Sequence, residues 1–87
     1  MNAQKIIDDI KFAQDSGEFQ RLASMLRWVA AVNTEASVAE FVAAGLALGM
    51  NKATLRIQFW QSRRFDIENY GNTFTADGRL LHDATES

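Results

Sequence analysis

Hydrophobic residues recur along this 87-residue chain mostly at intervals of three and four, the period of an amphipathic α-helix. Two helices are predicted in the first third of the chain. One runs from about Ala3 to Gln14 and carries a partial apolar stripe of isoleucines. The other runs from about Glu18 to Val32, after the helix-ending segment Asp15-Ser16-Gly17.

The second predicted helix has an apolar face that is wider than one neighbouring helix can cover. One stripe consists of Phe19, Leu22, Leu26 and Val29, and a second stripe consists of Met25, Trp28 and Val32. This width indicates a central core helix, a dimer contact, or both. We therefore take the second stripe as a candidate dimer surface.

A capping box marks the start of the third helix. The hydroxyl of Ser37 is expected to accept a hydrogen bond from the amide of Glu40, whose side chain reaches back to the Ser37 amide. The helix is expected to end just before Gly49, which suits the left-handed conformation that closes helices. Asn51 is then expected to cap a fourth helix, predicted over about Lys52 to Arg64.

The residues around this turn follow a recurring pattern. The small residue Gly45 stands four positions before Gly49, apolar Leu48 and Met50 flank that glycine, and Thr54-Leu55 begins five positions after it. A small residue lets two helices approach closely, and the apolar residues hold the second helix against the first. In these residues the chain resembles the helix-turn-helix of small bacterial, plasmid and phage repressors. The resemblance implies that the fourth helix enters the major groove of DNA.

Two positions depart from the pattern of that family. The family most often has alanine where this chain has Gly45. It usually has an aliphatic residue three positions after Leu55, where this chain has Gln58. We expect Phe59 to take over that packing role, with the fourth helix rotated accordingly.

The charges are distributed unevenly. The chain has nine basic and eleven acidic residues and a formal net charge of -2. Between Phe41 and Phe65 there are basic residues but no acid, namely Lys52, Arg56, Arg63 and Arg64. Subtracting these four from nine leaves five basic and eleven acidic residues elsewhere, a net charge of -6. Positive charge concentrated in this way favours an anionic partner.

A helical wheel divides the fourth helix into two sides. Leu55, Phe59 and Ser62 are predicted to face the third helix. The opposite side is predicted to hold Lys52, Ala53, Arg56, Ile57, Trp60, Arg63 and Arg64. In an alternative interpretation, Ile57 and Trp60 pack under the C-terminal segment and the arginines are only solvated.

The candidate DNA-binding residues are Asn51, Lys52, Ala53, Thr54, Arg56, Ile57, Gln61, Arg63 and Arg64. Lys52 and Arg56 are expected near base edges, where arginine can pair with guanine O6 and N7. The small and apolar members are expected near thymine methyl groups. Arg63 and Arg64, further along the helix, are expected to contact phosphates, with Gln61 and Thr54 as additional contacts to the DNA backbone.

A short β-hairpin is predicted near the C-terminus. Thr73–Ala76 and Arg79–Leu81 flank Asp77-Gly78, a dipeptide typical of hairpin turns. An isolated hairpin is marginal in water, so it must pack on the helices or pair with another chain. Phe74 and Leu80 are therefore further candidate dimer residues. Residues 83–87 are expected to form a flexible tail.

Composition narrows the function classes. There is no cysteine, only one histidine, and no Gly-rich phosphate loop, so we expect neither an enzyme nor a metal or cofactor site. No apolar run reaches the roughly 18 residues of a membrane span, and the N-terminus is too polar for a signal peptide. We expect a cytoplasmic protein without a membrane or small-molecule ligand.

The sequence predicts a compact all-α domain over residues 1–82, with four to five helices, a helix-turn-helix and a possible short C-terminal β-hairpin. The predicted function is that of a transcription regulator, a repressor by resemblance, which binds a pseudo-palindromic double-stranded DNA operator as a homodimer. The alternative is an acidic phage or plasmid protein that inhibits a host nucleic-acid-binding enzyme, with its carboxylates imitating phosphates.

Overall fold

The computed structural model describes residues 3–82, and of His82 only the backbone. Within this part the chain forms four helices and a two-stranded antiparallel sheet, so the all-α prediction with a C-terminal hairpin is confirmed. The elements are α1 (Ala3–Ser16), α2 (Leu22–Val32), α3 (Val38–Ala47), α4 (Lys52–Tyr70), β1 (Thr73–Phe74) and β2 (Leu80–His82). The predicted tail, residues 83–87, lies outside the described residues.

The core lies between the four helices. Helix α2 packs on α4 and α1, and α3 packs on α1 and α4. Fully buried apolar side chains come from all four helices, with Ile6 and Ile10 from α1, Leu26 and Val29 from α2, Phe41 from α3, and Leu55 and Phe59 from α4. The period of three and four in the sequence therefore marks the core correctly.

Helix α2 begins at Leu22, four residues later than predicted. Gly17 has a φ of 70° and ends α1, and Arg21 is still extended with a φ of -124°. The extended connection lets Phe19 pack on Trp28 at a ring-centroid distance of 5.6 Å. The apolar residue that suggested an earlier helical turn is therefore a loop residue that folds back onto α2.

The start of α3 and the α3–α4 turn both agree with the sequence prediction. Ser37 and Glu40 form the complete capping box at the start of α3. Gly49 has a φ of 80°, and the side chain of Asn51 accepts a hydrogen bond of 3.0 Å from the Thr54 amide at the start of α4. A Cβ atom at Gly45 would overlap the side chain of Leu55, so the small residue does allow the close approach of α3 and α4.

Helix α4 ends at Tyr70, six residues beyond the predicted end at Arg64. The packing side continues through Asp66, which is buried, so the helix remains covered on that side past its predicted end. It stops at Gly71, whose φ of 70° is left-handed and whose amide donates to the Ile67 carbonyl at 3.1 Å. Asn69 and Tyr70, which precede the predicted hairpin, thus belong to the last turn of α4.

The hairpin packs on the helices, as one of the two predicted arrangements requires. Thr73 pairs with His82 and Phe74 with Leu80, with an irregular register between the two pairs. Two backbone hydrogen bonds of 2.8 Å attach the hairpin to the rest of the chain: Val38 N in α3 donates to Asp77 O, and Leu80 N in β2 donates to Thr34 O in the α2–α3 loop. A Cβ atom at Gly78 would overlap the Phe59 ring, so this glycine also allows close packing.

Candidate nucleic-acid interface

The candidate interface is the side of α4 that faces away from the core. Lys52, Ala53, Arg56, Ile57, Gln61 and Arg64 are exposed there, and Thr54 is half-buried. With a rise of 1.5 Å per residue, the segment from Lys52 to Arg64 extends over about 18 Å. The α3–α4 turn places the N-terminal end of α4 at the surface, where Asn51 is exposed and its side chain caps the helix.

Arg63 is not part of this surface, and its placement on the exposed side of α4 was wrong. Its residue surface is 1% exposed. Its guanidinium group donates to four backbone carbonyl oxygens: Nε to Gly78 (2.6 Å), Nη1 to Ala30 (2.7 Å), and Nη2 to Asn33 (3.0 Å) and Ala36 (3.2 Å). Arg63 therefore joins the end of α2, the α2–α3 loop and the hairpin to α4, and it cannot reach a phosphate.

Aromatic rings and acidic residues complete the surroundings of Arg63. Its Cζ lies 4.3 Å from the centroid of Phe59 and 5.1 Å from that of Phe74, distances typical of cation–π contacts. Burial lowers the pKa of Arg63 to about 10, against the opposing effect of Asp66 and Glu35. The group is charged at neutral pH in both the folded and unfolded states. Its contribution to stability therefore does not change with pH in the neutral range, and changes only as the pH rises through about 10 and above.

The sequence did contain a signal for the burial of Arg63. At 100° per residue, position 63 lies only about 40° from Phe59 around the helix, close to the packing side. Its positive charge argued for exposure, because arginine is rarely buried without partners. The partners here are backbone carbonyls from distant segments, which no pattern in the sequence reveals.

Gln58 interacts with α2 through a polar contact. Its Oε1 accepts a hydrogen bond of 2.7 Å from Nη1 of Arg27, and Ser62 Oγ donates to the Arg27 carbonyl at 3.2 Å. Phe59 is fully buried and packs on Phe41 of α3 at a ring-centroid distance of 5.5 Å. Position 58 thus makes a polar contact with α2, and the apolar contact with α3 is made by Phe59.

Ile57 and Trp60 differ in their surroundings. Trp60 stands edge-on to Phe59 at 5.1 Å and is 37% exposed. Ile57 is 54% exposed. The alternative interpretation, in which both pack under the C-terminal segment, therefore does not hold for Ile57.

Three exposed cations remain on α4 once Arg63 is removed from the set. Lys52 and Arg56 lie in its first two turns, and Arg64 follows two turns later. Arg64 Nε lies 3.9 Å from Glu68 Oε1, with both side chains largely exposed, so this ion pair is weak. The positive charge is accordingly strongest at the N-terminal half of the helix.

The candidate dimer residues do not form one surface. Met25 is 4% exposed and belongs to the core, so it cannot contact a second chain, because its side chain packs between the helices. Phe74 and Leu80 are half-buried, and Phe74 lies against Arg63. Trp28 and Val32 are exposed on α2.

An open groove of about 780 Å³ lies between α2 and the C-terminal half of α4. Its lining includes the aromatic residues Trp28, Phe65 and Tyr70 together with Arg27 and Asp66. Around the helix, Phe65 lies about 180° from Arg56. The groove therefore lies largely on the other side of α4 from the exposed cations, and Gln61 is the residue of the candidate interface that also lines it. Within residues 3–82 no helix is long and apolar enough to cross a membrane.

Comparison of the chain with protein-family models, with curated proteins and with solved structures found no match. The resemblance to helix-turn-helix repressors is therefore carried by the residues of the α3–α4 turn and by the exposed basic side of α4.

Proposed function

We propose that this protein is a transcription regulator that binds double-stranded DNA through the exposed side of α4. The observation that carries the proposal is the combination on one helix of three exposed cations with small and apolar residues between them. No acidic residue occurs between Phe41 and Phe65, and Asp66 is buried on the packing side. A surface of this kind offers charge to phosphates and apolar contacts to thymine methyl groups.

The first two turns of α4 suit base recognition. Arg56 can donate two hydrogen bonds to guanine O6 and N7, and Lys52 can donate to the same acceptors. Ala53 and Ile57 stand beside them and can contact thymine methyl groups. Arg64 lies farther along the helix and suits a phosphate contact, which positions the protein without reading sequence.

Two protomers on a pseudo-palindromic operator would double these contacts. One α4 offers three exposed cations on a chain of net charge -2, which gives weak binding for a monomer. On the operator, the exposed α2 residues Trp28 and Val32 are the candidate contact between protomers. Repression by blocking a promoter is the simplest form of regulation that such a complex allows.

A gel-shift titration with the duplex DNA immediately upstream of the chain's own start codon tests the proposal. Alanine at both Lys52 and Arg56 removes the proposed base contacts, each worth about 1–3 kcal/mol of discrimination. We therefore expect binding to weaken at least about thirtyfold. The matched control is Arg21→Ala, which removes an exposed cation outside α4 and should bind like the parent.

Salt dependence separates base from phosphate contacts. Arg64→Ala should weaken binding to all sequences alike and lower the magnitude of the slope of log K against log salt by about 1.

Equal binding by the parent and by the Lys52/Arg56 double variant would contradict the proposal. Absence of duplex binding at low salt would favour the inhibitor hypothesis, in which the acidic residues of the first two predicted helices, over about residues 3–32, carry the activity.

A further inference from the structure

From its second turn onward, α4 carries apolar side chains on the same exposed side as its cations. Ile57 is 54% exposed, Trp60 37% and Ile67 50%. With Ala53 and Arg64 they follow spacings of four, three, four and three residues, which is the spacing of residues at a helix–helix seam. DNA contact by the first two turns does not account for the exposure of Trp60 and Ile67.

We propose that this side of α4 binds the same side of α4 in a second copy of the protein, with the two helices antiparallel about a two-fold axis. In such an interface, if residue i contacts residue j of the second copy, then residue j also contacts residue i of the second copy. Because the helices are antiparallel, one residue number rises as the other falls, so the sum of the two numbers in each contacting pair is constant. A sum of 124 sets Ile57 against Ile67 of the second copy. It also sets Trp60 against Arg64, and Arg56 against Glu68.

Each of these three pairs is complementary. The isoleucines bury apolar surface that is otherwise exposed to water. The Arg64 guanidinium can stack on the Trp60 ring, which is the preferred partner in cation–π contacts. Arg56 and Glu68 have opposite charges and long side chains. By symmetry every pair occurs twice, once on each side of the axis.

The residues are free to make these contacts. Arg64 and Glu68 are 79% and 65% exposed in their side chains, and the 3.9 Å distance between them is at the limit of an ion pair. Trp60 is fixed by its edge-on contact with Phe59, so its remaining exposed surface is held in place. A seam of about four helical turns buries less surface than the roughly 800 Å² per partner of a standard interface, so the dimer should be weak and reversible.

This pairing covers Arg56 and Ile57, which are also the proposed DNA contacts. DNA and a second copy should therefore compete for α4, and the dimer would be the form that does not bind DNA. The competition rests on the proposed function, whereas the dimer itself does not.

Sedimentation equilibrium without DNA tests the dimer by charge reversal. Arg56→Glu and Glu68→Arg each set two like-charged pairs against one another, so each should weaken the dimer at least about tenfold. The double variant R56E/E68R restores opposite charges at both pairs and should return to within about threefold of the parent. The matched controls Arg21→Glu and Glu18→Arg reverse exposed charges outside α4 and should associate like the parent.

Any one of three results would overturn the proposal: a parent that stays monomeric up to millimolar concentration, single variants that associate like their controls, or a double variant that associates no more tightly than either single variant.

A gel shift with the upstream duplex then separates the dimer proposal from the proposed DNA-binding function. Glu68→Arg should bind DNA more tightly than the parent, and R56E/E68R should dimerise without binding DNA. Charge-swap rescue of the dimer with no DNA binding by any variant would contradict the proposed function and leave the dimer standing.

Discussion

Arg63 connects more of this molecule than any other described side chain. Four carbonyl oxygens from three separate segments meet at its guanidinium group. Moving this group out of water is costly, as the lowered pKa of Arg63 shows, and the hydrogen bonds and the two aromatic contacts must offset that cost. The arrangement is favourable only while every partner is in place.

Removing the guanidinium group should therefore destabilise the fold strongly. Arg63→Ala leaves four carbonyls without this donor, and we expect a loss of about 3–5 kcal/mol in the free energy of unfolding. Arg63→Lys keeps the charge but cannot span four acceptors, so it should lose about 2 kcal/mol. Urea denaturation followed by circular dichroism measures both.

The adjacent arginine provides the control for this prediction. Arg64→Ala removes an exposed side chain from the same helix and should change the free energy of unfolding by no more than about 0.5 kcal/mol. Similar losses for Arg63→Ala and Arg64→Ala would show that the buried hydrogen bonds of Arg63 contribute little.

Asp77 in the hairpin connection should make stability sensitive to acid. The Thr75 hydroxyl, and secondarily Arg79, lowers the pKa of Asp77 below its usual value of 3.8. A lowered pKa in the folded state means that this carboxylate stabilises the fold above the unfolded pKa, and that the contribution is lost as the pH falls through the folded value. The difference in unfolding midpoint between the parent and Asp77→Asn should therefore be present at pH 7 and shrink toward pH 2.

Thr75→Val provides a second variant at the same site, since it removes the hydroxyl that donates to Asp77. It should reproduce most of the acid-dependent difference. A difference that is the same at all pH values would indicate that Asp77 acts through turn geometry alone.

At the scale of elements, local signals located helix starts better than helix ends. Ser37 and Asn51 are caps that act on the next few residues, so the starts of α3 and α4 follow from them directly. The end of α4 depends on Asp66 being covered by other elements, and the start of α2 depends on Phe19 folding back. Both depend on tertiary packing, which is not encoded within one helical turn.

The close approach of α3 and α4 can be tested at Gly45. Alanine there improves helix propensity by about 1 kcal/mol but overlaps the buried Leu55 side chain, and overpacking of this kind costs about 1–3 kcal/mol. We expect a net loss of about 1 kcal/mol on urea denaturation. If the overlap is the cause, adding Leu55→Val should cost less in the Gly45→Ala background than in the parent, and strict additivity would contradict this.

At the scale of the whole molecule, the charge pattern predicted the candidate surface only in part. Lys52, Arg56 and Arg64 are exposed on α4 as the sequence suggested, whereas Arg63 is buried. Met25, which was a candidate dimer residue because of its apolar stripe, belongs to the core. The error arose because the sequence gives charge and spacing but not the carbonyl groups that a distant loop and hairpin bring to Arg63. The exposed side that remains has features suited both to DNA and to a second copy.

The proposed DNA-binding role of α4 is tested most directly by chemical-shift mapping. A ¹⁵N-labelled sample is titrated at low salt with a mixed-sequence duplex of about 20 base pairs, which spans about two turns of DNA and offers phosphate contacts whatever its sequence. The account predicts that the largest amide shifts occur between Lys52 and Arg64, with α1 unaffected. Shifts centred on α1, or none at low salt, would contradict it.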